Sequence, residues 1–182
     1  MEAEAEMVVA LVVVLLVFAL WMVFSYNSLV RLRNKCEESA AALDAHLKAR
    51  YDLVPNLVEA VKGSTKHERG TLEAVMAARN QAAGAGGKAE AGLSAALGKV
   101  FALSEAYPEL KANESFVTLQ GQLMELEEEI LSARKYYNAI ARTYNDKTMV
   151  FPTSILAGLF RFEKRPYLQA EEAEKQRVEV KF

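Results

Sequence analysis

The feature that most limits what this chain can become is the stretch from Met7 to Phe24. It is 18 consecutive apolar residues with no charge, proline or glycine. Wound as an α-helix it rises about 27 Å, close to the roughly 30 Å of a bilayer hydrocarbon core. A helix that is apolar on every side is stable in lipid or at the centre of a large core. The stretch therefore reads as a transmembrane helix, with a buried helix of a soluble protein as the competing reading. A secretory signal peptide would need a basic start and a small-x-small cleavage site. Here the start carries Glu2, Glu4 and Glu6, and Leu20-Trp21-Met22-Val23-Phe24 offers no such site. The anchor is expected to use Met7, Leu11, Leu15, Phe18 and Phe24, with Trp21 and Tyr26 at the headgroup level, where amphipathic aromatic rings are favoured.

The span also explains the composition. The chain has 182 residues and is 52% hydrophobic, slightly high for a soluble domain. Among its first 24 residues only the three glutamates are not hydrophobic. The chain thus reads as one span plus one modest domain, and not as a multidomain enzyme, a polytopic transporter or a disulfide scaffold. All 22 lysines and arginines lie beyond residue 24, with Arg31, Arg33 and Lys35 closest to the span. The positive-inside rule then places the N-terminus outside and the rest in the cytoplasm. A single cysteine, Cys36, suits a reducing compartment. Its place on an apolar stripe favours a packed thiol over a reactive one. The near-neutral remainder has no basic face for nucleic acid, and three juxtamembrane cations make only a weak patch for anionic lipid.

The expected organisation is a short extracytoplasmic N-terminus (1–6), a transmembrane helix (7–26), a cytoplasmic helical bundle (27–150) and a C-terminal segment (151–182). No glycine or proline occurs between Met7 and Val54, so the membrane helix is expected to run on into the cytoplasm. Leu29, Leu32, Cys36, Leu43, Leu47 and Val54 continue its 3–4 spacing. Pro55 lacks an amide donor and crowds the preceding turn, which predicts a kink near Val54. Leu57, Val58, Val61, Leu72, Val75 and Met76 then resume helical spacing, weakened by Gly63 and Gly70. Gly84-Ala85-Gly86-Gly87 marks the clearest break. A third helix follows from about Lys88 to Tyr107, stopped by Pro108, and Asn113 is the expected N-cap of a fourth. That helix carries Phe116, Leu119, Leu123, Leu126, Ile130, Ala133, Tyr137, Ile140 and Tyr144 at alternating spacings of three and four. Such a stripe is a coiled-coil seam or the core face of a long bundle helix. Phe151-Pro152 ends it. Ile155, Leu156, Leu159, Phe160 and Phe162 then form an apolar patch flanked by Arg161, Lys164 and Arg165. This patch either packs across the bundle end or dips into the membrane surface. The tail from Glu171 is charged, with strand character only at Val178 to Phe182. The fold class is all-α: an N-terminal transmembrane helix continuing into a long antiparallel, four-helix bundle.

The sequence carries no constellation for catalysis. His46 and His67 stand 21 residues apart without a supporting ligand set and read as surface residues. The run Gly86-Gly87-Lys88 fails the phosphate-loop pattern at Ala82 and Ala89 and reads as a linker. Glu127, Glu128 and Glu129 fan around a helix and cannot converge on a metal, and no E-x-x-H pattern is present. No cofactor or metal is expected.

Several motifs nevertheless resemble one family. Tyr26-Asn27-Ser28-Leu29-Val30 follows the span. Arg50-Tyr51-Asp52-Leu53-Val54-Pro55-Asn56-Leu57-Val58 comes next, then Lys66-His67-Glu68 and Ala78-Arg79-Asn80. Ala106-Tyr107-Pro108-Glu109-Leu110-Lys111-Ala112-Asn113, Ala133-Arg134-Lys135-Tyr136-Tyr137-Asn138, Tyr144-Asn145, Phe151-Pro152 and Ala157-Gly158-Leu159-Phe160 complete the series. These blocks, in this order over nearly the whole chain, resemble the bacterial LemA family. Lys135 stands where many relatives carry Gln, and Arg161 where many carry Gly. The resemblance implies a single-pass membrane protein of the bacterial cytoplasmic membrane with a long helical bundle, and no agreed activity.

The motif residues admit two physical readings. Arg50, Tyr51, Asp52 and Asn56 surround Pro55 and would either satisfy backbone groups freed by the proline or form a partner surface. Tyr136, Asn138, Phe151 and Phe160 join Pro55 and these four as candidate partner or assembly residues. Tyr137 and Tyr144 lie on the core stripe, so their hydroxyls need partners. The expected partners are the lipid bilayer, further copies of the chain, and a cytoplasmic or membrane protein. The leading expectation is a membrane-anchored scaffold that self-associates. The alternative is a regulatory binding module, and an enzyme is disfavoured.

Overall fold

The computed structural model describes residues 1–63, 68–85 and 88–168. Six helices follow in order: α1 (Glu2–Lys62), α2 (Arg69–Ala85), α3 (Lys88–Ala106), α4 (Pro108–Lys111), α5 (Glu114–Met149) and α6 (Thr153–Leu159). No strand occurs among the described residues. His67, the Gly86-Gly87 linker, the tail from Glu171 and the Val178–Phe182 stretch lie outside them. The chain is all-α, with a long N-terminal helix of apolar start followed by shorter helices.

Two compact units divide the chain. The first is Met1–Ala40 with Tyr136–Tyr167, and the second is built on Ala41–Lys135. Helices α1 and α5 contribute to both.

In the second unit, the buried Val54, Leu57 and Val61 of α1 pack with Leu72 and Val75 of α2, Leu93, Leu97 and Val100 of α3, Leu110 of α4, and Phe116 and Leu123 of α5. Helices α1 and α5 run antiparallel here: His46 meets Glu129, Arg50 meets Glu127, and Asn56 and Glu59 share a cleft with Glu114 and Thr118. The Asn113 side chain caps α5 by accepting the Phe116 amide at 3.2 Å, as the sequence predicts. Pro108 opens α4 as its first residue, a position where the missing amide costs nothing.

Pro55, where the sequence predicts a kink, lies inside α1, which continues through it to Lys62. The carbonyl that Pro55 leaves without an amide partner is that of Tyr51, one turn back. The Arg79 guanidinium of α2 supplies the substitute, its Nε donating to the Tyr51 carbonyl at 3.1 Å. A donor from another helix thus replaces the missing hydrogen bond and lets the helix persist.

In the first unit, α1 and α5 again run antiparallel. Lys147 donates to Ser28, and Arg165, beyond α5 and α6, pairs with Glu37 at 2.6 Å. Leu29, Cys36, Tyr137, Ala141, Tyr144, Leu156, Ala157 and Phe162 are buried. The four-heptad stripe on α5 is therefore core face: Phe116, Leu123 and Ile130 are buried, as are Tyr137 and Tyr144. None of these five remains exposed for a second chain.

Candidate functional site

The apolar start of α1 is exposed throughout. Met7, Leu11, Leu15, Phe18 and Phe24 all face outward, Tyr26 is exposed, and Trp21 is partly covered. The 18-residue window of highest hydropathy has none of its residues buried. A core helix of a soluble protein would be covered, so this apolar surface awaits another solvent. It is the one helix among the described residues long and apolar enough to cross a membrane.

The residues around Pro55 separate into two groups. Asp52 and Asn56 are exposed, and Pro55 is partly covered. Arg50 is 1% exposed, and so is Glu90 of α3. The Arg50 guanidinium reaches Glu90 at 3.4 Å, Glu127 of α5 at 2.9 Å and the Ser94 hydroxyl at 2.7 Å. Ser94 donates onward to Glu127 at 3.2 Å. The Tyr51 hydroxyl donates to the other oxygen of Glu90. One arginine thus ties three helices together. Its Nε is the only buried side-chain nitrogen or oxygen without a hydrogen-bond partner among the described residues. Isolated charges in a core are costly, and pairing with further hydrogen bonds makes them tolerable. Arg50 and Tyr51 therefore act inside the bundle. The residue that relieves the proline is Arg79, which the motif series includes but the candidate partner residues do not.

The acidic run on α5 divides as helical geometry requires. Glu127 serves Arg50, Glu129 meets His46 at 3.0 Å, and Glu128 is exposed. Among the described residues no group of three His, Cys, Asp or Glu side chains gathers to hold a metal ion. Tyr107 donates to Glu68 at 2.9 Å. That hydrogen bond to a carboxylate raises the phenol above its ordinary value.

The C-terminal segment is held by side chains of α5. Asn145 accepts the Arg165 amide and donates to the Arg165 carbonyl, both at 2.8 Å. The Tyr137 hydroxyl donates to the Pro166 carbonyl at 3.0 Å, so this predicted buried phenol has its partner. Asn145 and Arg165 were not among the expected site residues. The Tyr144-Asn145 motif was visible, and its buried neighbour on the core stripe was the available signal. Tyr136 is exposed and Asn138 partly covered. Burial raises the Cys36 thiol and the Tyr137 and Tyr144 phenols, with nearby Arg165 opposing the shift in each case.

Helix α6 ends in a Schellman turn. The Phe162 amide reaches back to the Ala157 carbonyl at 2.9 Å and the Arg161 amide to the Gly158 carbonyl at 3.4 Å. Such a turn needs a left-handed residue, usually glycine; here Arg161 takes it, with φ 56°. Leu156, Ala157 and Phe162 face inward, whereas Phe151, Ile155, Leu159 and Phe160 are exposed. The Tyr26 ring packs edge-on against Phe160 at 4.8 Å and Phe162 at 5.7 Å, and the Arg33 guanidinium lies 5.6 Å from the centre of the Phe162 ring. The segment both packs on α1 and keeps an apolar outer face.

Comparison with known proteins agrees with the motif series. The sequence profile of the LemA family matches residues 39–182. Magnetosome protein MamQ 2 of Paramagnetospirillum magneticum is 34% identical over 92 residues, covering 48% of this chain and 34% of that protein. Magnetosome protein MamQ of Magnetospirillum gryphiswaldense is 31% identical over 85 residues, covering 47% and 31%. Protein LemA of Metamycoplasma hominis is 24% identical over 160 residues, covering 85% and 72%. The chain spans about a third of the length of the magnetosome relatives it matches.

Proposed function

The chain belongs to the LemA family, and from that premise we propose that it is a membrane-anchored helical scaffold which self-associates and catalyses no reaction. It crosses the bacterial cytoplasmic membrane once, N-terminus outside, with its helical body in the cytoplasm. The observation that carries this reading is the continuity of α1. The exposed apolar run and the buried Val54–Val61 face belong to one unbroken helix, so the anchor is also a wall of the bundle. The basic residues just after the run set the direction of insertion.

Self-association has to use surfaces other than the α5 stripe, which the chain buries itself. Exposed Val117 and Met124, two turns apart on one face of α5, offer one. Native mass spectrometry in mild detergent, with electron microscopy of the reconstituted protein, tests this point. Discrete oligomers are expected, and a strictly monomeric particle at high concentration overturns it. Orientation is tested separately with a membrane-impermeant maleimide on Glu2→Cys and Glu38→Cys variants. Only Glu2→Cys should label from outside the cell.

A regulatory binding module is the second reading. Exposed Asp52 and the cleft holding Asn56, Glu59 and Glu114 favour it, since a basic partner segment would suit those carboxylates. Proximity labelling with Asn56→Ala and Glu114→Gln variants discriminates. An unchanged partner set removes this cleft from consideration.

A further inference from the structure

The outer face of residues 149–165 combines two features that a water-exposed bundle end does not need. The first is apolar. Phe151, Ile155 and Leu159 are 76%, 62% and 70% exposed, with Met149, Val150 and Phe160 beside them. The second is basic. A cavity of about 360 Å³ is lined by Arg33, Arg161, Lys164 and Arg165, with Tyr144 and Glu163. Glu163 is the only carboxylate in that lining, and Arg165 already serves Glu37. Arg161 and Lys164 are exposed at its rim.

Position decides what covers this face. The Lys147–Ser28 contact places the C-terminal end of α5 beside the stretch of α1 that follows the apolar run. Tyr26 contacts Phe160 and Phe162 directly. The exposed apolar side chains are thus continuous with the exposed surface of the span, and the basic cavity lies on the side of the span where Arg31 and Lys35 also stand. Apolar side chains beside cationic ones at the end of a span match a bilayer interface, with acyl chains on one side and phosphate on the other. Arg161 adds a further indication: it holds a left-handed backbone conformation suited to glycine and thereby keeps a cation at the cavity.

We propose that this segment is a lipid-binding site. Phe151, Ile155, Leu159 and Phe160 enter the boundary between headgroups and acyl chains, and Arg33, Arg161 and Lys164 hold the phosphate of an anionic phospholipid. The proposal deepens the anchored reading above and rests on the span being in the membrane.

The test keeps the two apart. The full chain, which has one tryptophan, is reconstituted in phosphatidylcholine bilayers containing phosphatidylglycerol and lipid brominated near the headgroup. Trp21 in the native chain reports the span. Leu159→Trp and Ile155→Trp, each in a Trp21→Phe background, report the segment. Quenching of both reporters by roughly half, with little effect of aqueous iodide, is the expected result. Quenching of Trp21 with iodide-accessible segment reporters overturns the site while leaving the span intact. An unquenched Trp21 overturns the span, and the site with it. Segment reporters shielded from both quenchers would mean that protein covers the face, which also overturns the site.

The headgroup arm measures lipid co-purified from bilayers of equal phosphatidylcholine and phosphatidylglycerol. Arg161→Gln and Lys164→Gln should each lower the preference for phosphatidylglycerol by about fivefold. An unchanged preference overturns the phosphate assignment. Inorganic phosphate added in neutral detergent should leave the thermal midpoint unmoved. A shift as large as that given by phosphatidylglycerol would assign the cavity to a free anion and not to lipid.

Discussion

At the scale of single residues, the second unit turns on Arg50 and Arg79. Arg50 is enclosed with Glu90, and removing one member of such a pair leaves an uncompensated buried charge. Arg50→Met should therefore destabilise the bundle by about 3–5 kcal/mol. Arg50→Met combined with Glu90→Leu should recover most of that loss, because the remaining Glu127 is partly solvated. Helical circular dichroism followed through urea unfolding of the detergent-solubilised chain measures both. Arg79 and Pro55 form a second testable pair. Arg79→Ala should cost about 1 kcal/mol less in a Pro55→Ala background, where an alanine amide can serve the Tyr51 carbonyl. No difference would mean that the guanidinium does not replace the missing amide. The sequence singled out Arg50, Tyr51 and Pro55 as a cluster; of their partners on other helices, Arg79 and Glu127 were named for other reasons and Glu90 was not named. A signal existed nonetheless. Arg50 stands in register between Leu47 and Val54, and Glu90 stands in register before Leu93 and Leu97. A charge at a core position of an apolar stripe indicates a buried pair, whereas apolar counting treats it as a gap. Ser39 occupies another such gap and is likewise buried, donating to the Cys36 carbonyl at 3.0 Å.

At the scale of elements, most helices were legible because the apolar period and the breakers agree. Asn113, Pro108 and the glycine-rich run at 84–87 fall at or next to helix ends. Pro55 instead lies within α1, because a breaker acts through a local hydrogen bond and a distant donor, here Arg79, can supply that bond. The α5 stripe was legible as a stripe, but spacing alone does not say whether the covering surface comes from the same chain. Helix α6 was legible as apolar and not as a Schellman turn, because its left-handed position carries arginine. That substitution predicts a trade. An L-residue with a side chain pays about 1 kcal/mol or more in the left-handed region that glycine does not. Arg161→Gly should therefore raise the thermal midpoint of the chain in neutral detergent while weakening its preference for anionic lipid. A lower midpoint would show that the Arg161 side chain contributes packing that outweighs the backbone strain.

At the scale of the whole molecule, the titratable groups raised by burial are concentrated in one unit. Cys36, Tyr137 and Tyr144 all belong to the first unit, and burial disfavours the charged form of each. Tyr107, in the second, is raised first by its bond to Glu68 and only then by burial. The sign follows from linkage. Each first-unit group holds its proton more tightly folded than unfolded, so its contribution to stability is complete below the ordinary thiol and phenol values and is lost as pH rises through the folded ones. The first unit should thus be stable from neutrality to about pH 9 and weaken above it. The chain has one cysteine, so thiol labelling reports this unit alone. Cys36 should react slowly with maleimide at pH 7.5 and rapidly after unfolding, because the buried thiol is both inaccessible and protonated. Thiolate chemistry alone also speeds labelling as pH rises, so the decisive comparison is Tyr144→Phe. That variant removes one phenol whose ionisation opposes the fold, and it should move the onset of fast labelling to higher pH. An onset identical to that of the native chain would mean that Cys36 responds only to its own proton, and that the buried phenols do not set the alkaline limit of the first unit.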